Sequence, residues 1–401
     1  MQLSKKALAI SPSLTLKITA MANELRAQGK DIVSFGAGEP DFDTPQHIKD
    51  AAIRAMEKGL TKYTPASGAK ELKEAICDFQ MRENGLKYTP EQIVVSNGAK
   101  HSLFNVFQAI LNPGDEVLIV EPYWLSYPEL VKMADGVPVF VEAKEKHNFE
   151  PTEEGVRAAV TEKTKAIIVN NPSNPCGCVY SEETLHSIAK IAKEFNFFII
   201  SDEIYGELVY DGHIHKSIAS ISDDAYNRTI IVNGLSKSYA MTGWRIGYTA
   251  SNLELAKIMG SFQSHATSNA SSISQYAGVE ALTGRQDELL EMRKEFNRRR
   301  LELAKDINEI DGISCNVPMG AFYVMVNISD LKGKYIDGVK IENSIDFAEQ
   351  LLKKTLTAVI PGAPFGADDF VRLSYAISID DIKKGTARIA EFVSMLKDST
   401  E

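Results

Sequence analysis

The sequence predicts an α/β protein built on a doubly wound, mostly parallel sheet, with a smaller α+β domain beside it. Three observations carry this expectation. Between about residues 90 and 250, short apolar runs alternate with helical stretches. Those runs are near-continuous in Val, Ile and Phe, as strands buried on both faces require. At 401 residues the chain is too long for one small core, so about two domains are expected.

The expected strands are, in order, QIVVSNG, DEVLIVEP, KAIIVNNP, NFFIISDE, TIIVNGLS and IGYTAS. Between them SEETLHSIAKIAKEFN reads as a helix, its opening Ser181 approximating a capping box with Glu183 and Thr184. Residues 285–310 place Leu289, Met292, Phe296, Leu303, Ile307 and Ile310 on one face. That is a long amphipathic helix, able to bridge two lobes. After it, GAFYVMVNIS and FVRLSYAIS read as strands and IDFAEQLLKKT as a helix. The expected division is an N-terminal arm contributing to the small domain (1–45), a large domain (46–284), and the bridging helix with a small C-terminal domain (285–401). Ligands of such sheets bind at the carboxyl ends of the strands.

Composition narrows the function. Hydrophobic residues make up 44% and charged residues 24%, an ordinary globular profile. The net charge of −10 argues against nonspecific binding to nucleic acid or anionic membranes. An anion site must therefore be a local cluster of cations and backbone N–H groups. The opening MQLSKKALAISPSL has no long apolar signal region, and no segment approaches the roughly 20 apolar residues that span a bilayer. Four cysteines form no disulfide framework, so a cytoplasmic location is expected. Cys176 and Cys178 lack a second Cys/His pair at zinc spacing, which makes them structural thiols; no metal is expected.

The strand ends carry the chemistry. The first delivers Gly98, Ala99 and Lys100 at a helix start, where free N–H groups and the dipole suit a phosphate. Alone, Asn-Gly is an ordinary turn. The second delivers Trp124, a packing residue or a plate for a flat ring. The third delivers Asn174 before Pro175, turn chemistry or a side-chain amide in a site. Asp202 follows FFIIS; it is a cap, or a carboxylate shielded from water that needs a cationic partner. Tyr205 lies three residues on. Lys237, flanked by Ser236 and Ser238, ends the next strand, and Arg245 follows inside GWRIG. Each residue alone has a bland reading. Together they suit an aromatic, phosphorylated aldehyde held by an amine, which is pyridoxal 5′-phosphate.

Here the sequence resembles fold-type I pyridoxal-phosphate enzymes, specifically the class I aminotransferases of the aspartate aminotransferase family. The shared strings run nearly end to end: GAGEPDFDTP, KYTPASG, SNGAK, EPYWLSYPE, NNPSNPCG, SDEIY, LSKSYAMTGWRIGY, GAFY and VRLSYA. The resemblance implies Lys237 as the lysine that carries the cofactor. It implies Asp202 facing the pyridine nitrogen, and Tyr205 and Asn174 facing the phenolic oxygen. Ser236, Arg245, Gly98 and Ala99 fall where the family holds the phosphate, and Trp124 where it stacks on the ring. Tyr63 matches a tyrosine that reaches the neighbouring subunit's phosphate, implying a homodimer with shared sites. Gly38 and Arg372 match the positions for the substrate's α-carboxylate, for which arginine's planar fork is suited.

Lys100 matches the lysine that, in one branch, meets a distal carboxylate. The implied reaction moves the amino group of L-aspartate to 2-oxoglutarate by a ping-pong mechanism. Thr15 with Lys100 also resembles members that accept prephenate, giving arogenate. Other fold-type I enzymes share most of these residues, a C–S β-lyase among them. A pyridoxal-phosphate regulator would need a DNA-binding domain, for which this acidic chain has no spare N-terminal length. A nicotinamide dehydrogenase would need G-x-G-x-x-G after a strand. Ser187 and Lys190 form a Ser-x-x-Lys without the companion motifs of an acylating serine enzyme.

Overall fold

The computed structural model describes residues 3–10 and 15–399. Its main sheet has seven strands: β1 (Ile93–Ser96), β2 (Glu116–Glu121), β3 (Val137–Glu142), β4 (Thr164–Asn170), β5 (Phe198–Asp202), β6 (Thr229–Gly234) and β7 (Gly247–Ala250). Their spatial order is β1-β7-β6-β5-β4-β2-β3. All pairings are parallel except those of β7, which runs antiparallel to both β1 and β6. The six expected strands are present. The sequence reading missed β3, a half-exposed edge strand with no continuous apolar run.

The continuous runs are explained by burial on two faces. Along β4, Ala166 and Ile168 pack with Leu103 and Phe107 of helix α1 (Ala99–Ile110). Ile167 and Val169 point the other way, onto Leu185 and Ile188 of helix α2 (Glu182–Phe195). Fully burying a Val, Leu, Ile or Phe side chain is worth about 1.5–3 kcal/mol relative to exposure. The α2 N-cap forms as expected, with Ser181 Oγ accepting from Thr184 N at 3.2 Å. The reciprocal Glu of a capping box is replaced by Glu150, which accepts from Ser181 N and Oγ.

The long helix is α3 (Asp287–Asn308), and it buries Leu289, Met292, Phe296, Leu303 and Ile307. Ile310 lies just beyond its end, packed against the same core. The helix also buries Arg299 and Arg300, which pair with Asp41 at 2.8 Å and Asp211 at 2.5 Å. A small antiparallel sheet, ordered β9-β10-β8, is formed by β8 (Tyr323–Asn327), β9 (Ile360–Pro361) and β10 (Phe370–Ser374). Near the N-terminus, Val33 and Ser34 pair in parallel with Thr357 and Ala358, which ties the arm to the C-terminal elements. Among the described residues no helix is long and apolar enough to cross a membrane.

Candidate active site

A cavity of about 500 Å³ opens at the carboxyl ends of the parallel strands. Gly38, Ala99, Lys100, Trp124, Asn174, Asp202, Tyr205, Ser236, Lys237, Arg245 and Arg372 all line it. Residues separated by hundreds of positions thus meet in one place. Of the ionisable groups in its wall, Lys100, Lys237, Arg245 and Arg372 oppose Asp202 and Glu39. The wall is cationic inside a protein of net charge −10, as an anionic ligand requires.

One end of the cavity is the turn from β1 into α1. Gly98 is the N-cap residue, with φ +86°, a conformation that glycine adopts without strain. A Cβ there would sit 2.3 Å from an Arg245 guanidinium nitrogen, and one on Gly247 would sit 2.2 Å from Ala99 N. Both glycines let the Arg245 side chain and the helix start close on each other. Gly98 N itself donates to Ser96 O at 2.8 Å, so it contributes space rather than a free donor. The first-turn N–H groups of Ala99 and Lys100 have no acceptor among the described residues. Arg245 is held by its own turn, Nη1 donating to Thr242 O at 2.8 Å.

At the other end stands Asp202, the last residue of β5, 3% exposed. Among the described residues no lysine, arginine or histidine forms an ion pair with it, although the Lys237 charge acts on it from a distance. Instead Tyr127 Oη donates to Oδ2 at 2.7 Å and Ile204 N donates to Oδ1 at 3.3 Å. Burial lifts its carboxyl to about 6, against the lowering effect of those two donors. Lys237 is half-buried and donates to Gly38 O at 2.5 Å. Burial pulls its ammonium down to about 8; Glu39 opposes this, while Arg245 and Arg372 add to it.

Arg372, on β10, is almost fully buried, and burial lowers its guanidinium pKa. One nitrogen donates to Asn174 Oδ1 at 3.0 Å, and the group stacks 4.4 Å from the Tyr323 ring centre. Its Nε is buried without a hydrogen-bond partner. Tyr205 and Tyr323 share a hydrogen bond at 3.1 Å between their hydroxyls. Lys100 is open to solvent, its amine 4.8 Å from the Trp124 ring centre.

One named residue stands apart from this cavity. Tyr63 is 90% exposed and does not line it. Thr15 opens the helix Thr15–Ala27, and its side chain falls outside the described residues. The Ser187–Lys190 pair lies on α2, where both side chains bond Glu153 at 3.3 Å. Cys176 and Cys178 are buried and unpaired. The sequence reading overlooked Tyr127, Tyr323, Asn170, Thr242 and Glu39, all in the wall. The first two lie inside the quoted EPYWLSYPE and GAFY strings, and Glu39 lies in GAGEPDFDTP.

A family model for aminotransferase class I and II matches residues 30–389. The chain belongs to that family. Among similar proteins, an aspartate aminotransferase of Bacillus sp. (strain YM-2) is 49% identical over 98% of this chain and 99% of its own. An aspartate/prephenate aminotransferase of Cereibacter sphaeroides is 46% identical, covering 96% of this chain and 97% of its own. Among solved structures, the aspartate aminotransferase of Rhizobium meliloti superposes with a TM-score of 0.96 at 43% identity. That match covers 99% of this chain and 100% of the other.

The cofactor of this aminotransferase family is pyridoxal 5′-phosphate, and the donor set fits it. Its phosphate, ring nitrogen and aldehyde call for a cationic cradle, a buried carboxylate and a low-pKa amine. The glycine-lined turn with Arg245, Asp202 and Lys237 are those three groups.

Proposed function

We propose that this aminotransferase moves the amino group of L-aspartate to 2-oxoglutarate, giving oxaloacetate and L-glutamate in two half-reactions at one site. What supports this most is a single arrangement: the same cavity wall holds two cations, Arg372 and Lys100, beyond the Arg245 phosphate cradle. A dicarboxylic amino acid needs two such places, and a monocarboxylic one needs only one.

The roles follow from chemistry. Ser236, Arg245, and the N–H groups of Ala99 and Lys100 at the Gly98 turn would hold the phosphate. Asp202 would keep the ring nitrogen protonated, and a protonated nitrogen there would supply a close ion-pair partner for its carboxylate. Asn174 and Tyr205 would face the phenolic oxygen, and Trp124 the ring. When bound, pyridoxal phosphate supplies the electron sink that makes the substrate's Cα proton removable. Lys237, as a free amine, would take that proton from the substrate's Cα and hold it for return. Arg372 and Gly38 orient the α-carboxylate so that the Cα proton faces Lys237.

We also propose a homodimer in which Tyr63 serves the partner's phosphate; its exposure outside its own cavity supports this. The chain then divides as residues 1–45 and 285–401 around a large cofactor domain, 46–284. A cytoplasmic location is supported by the unpaired cysteines. Prephenate as a second acceptor of the amino group is supported by the name of the Cereibacter sphaeroides relative and by Lys100. The test is a panel of amino donors with 2-oxoglutarate, followed by prephenate with each active donor. Aspartate should lead the panel. Preference for a monocarboxylic donor, or elimination of ammonia or thiol instead of transfer, would refute the reading.

A further inference from the structure

Glu203 follows Asp202 directly, is 0% exposed, and takes no part in the chemistry above. Successive strand residues point to opposite faces, so Ser201 and Glu203 share the face that Asp202 does not. On that hidden face, Glu203 Oε1 accepts from Ser201 Oγ at 2.8 Å and from Ser217 Oγ at 2.5 Å. Its Oε2 lies 3.3 Å from His215 Nε2, yet neither atom has a well-aligned hydrogen bond. The His215 ring in turn packs on Gly206, where a Cβ would come within 3.2 Å of it.

A carboxylate so deeply buried and half-satisfied is costly, and an apolar side chain would fill the space at lower cost. What it joins gives the reason for a polar group there. The turn at residues 203–206, closed by Gly206 N donating to Glu203 O at 2.9 Å, carries Tyr205 into the cavity. The chain then runs out past Arg300, which pairs with Asp211, and returns through His215 and Ser217. Glu203 is where the two ends of this excursion are fastened together. Its backbone N also donates to Val232 O on β6 at 2.8 Å.

We propose that Glu203 is a positioning residue: by fastening the returning segment at 215–217 to the end of β5, it fixes where Asp202 and Tyr205 stand in the cavity. This rests on the aminotransferase reading for its catalytic consequence, but not for its effect on cofactor binding. The variants are Glu203→Ala, Glu203→Gln and Ser217→Ala. The measurements are melting temperature, the affinity of each apoprotein for pyridoxal 5′-phosphate by tryptophan quenching, and kcat and KM for aspartate at saturating cofactor.

Misplacing groups in a site by about 1 Å can cost on the order of a hundredfold. Glu203→Ala should therefore lower cofactor affinity about tenfold or more and kcat by about ten- to a hundredfold, with KM changed by less than about threefold. Glu203→Gln still accepts from both serines and should regain most of each loss. Ser217→Ala should fall between, and it decides the matter alone if Glu203→Ala does not fold. A lower melting temperature with cofactor affinity and kcat at wild-type values would overturn the proposal, as would a Gln variant no better than Ala. A wild-type protein without transaminase activity refutes the functional reading instead, and the cofactor affinities still judge the positioning.

Discussion

Arg372 and Lys100 both line the cavity, and both are proposed to hold substrate carboxylates, but the fold holds them in opposite ways. Arg372 is 6% exposed, set in a strand, bonded to Asn174 and stacked between Tyr323 and Phe365. Lys100 sits in the first turn of α1, exposed at the cavity mouth with the Trp124 face against it, and partial burial and the nearby Arg245 lower its ammonium pKa. A cation at that end of a helix is also disfavoured by the dipole. The difference teaches what each is for. A rigid, desolvated fork suits the α-carboxylate that every amino acid presents in the same place. A point charge on lysine's flexible four-carbon stem suits a distal group whose position varies with the length of the substrate.

The harshest way to break this comparison is Arg372→Ala. Removing one partner of a desolvated charge pair costs about 2–5 kcal/mol, which is roughly 30- to several-thousand-fold in kcat/KM. The upper part of that range is expected, and by the same factor for aspartate, glutamate and alanine. Arg372→Lys should recover little, because the charge returns without the fork. A loss confined to dicarboxylic substrates, seen in steady-state kinetics, would mean the two cations have been assigned the wrong way round.

Lys100→Ala should act more weakly and more selectively. Its open setting puts the loss near the low end, about 30-fold in kcat/KM for aspartate and glutamate. Alanine, without a distal carboxylate, should change far less. Equal losses for all three substrates would place Lys100 with the phosphate and remove the main support for aspartate.

A gentler effect sharpens the contrast through Lys237. Its ammonium is pulled down to about 8, chiefly by burial, with Arg372 among the charges that add to the shift. The neutral amine is the nucleophile, so covalent attachment of pyridoxal 5′-phosphate to the apoprotein should speed up as pH rises and level off above about 8. Removing Arg372 takes away a nearby positive charge, which favours the ammonium and moves that midpoint upward. Lys100→Ala should leave it in place. Stopped-flow absorbance across a pH series reads both, and a midpoint near that of an ordinary lysine would contradict the burial.

The strand pattern and the cavity's main residues were legible because they depend on local signals. Buried strands read as unbroken apolar runs, and Asp202, Lys237 and Arg245 stand where such runs or their turns end. What escaped depends on pairing across the chain. The edge strand at Val137–Glu142 is half-exposed and interrupted by Pro138, so it has no such run. Tyr127 reaches Asp202 from 75 positions away, and nothing local marks it as a donor. The adjacency of Asp202 and Glu203 is plain in the sequence, but their division between the cavity and the hidden serines requires the fold. Gly38 and Arg372 came through resemblance alone, as did the role proposed for Tyr63.

The claim on which the rest depends is that one amine, Lys237, carries the cofactor in this cavity. Borohydride reduction of the cofactor-loaded protein, followed by proteolysis and mass spectrometry, tests it directly. The account predicts a single stable pyridoxyl phosphate adduct, on the peptide containing Lys237, absent from Lys237→Ala. An adduct on Lys100 or a surface lysine, or no adduct from protein that shows the bound chromophore, would contradict it.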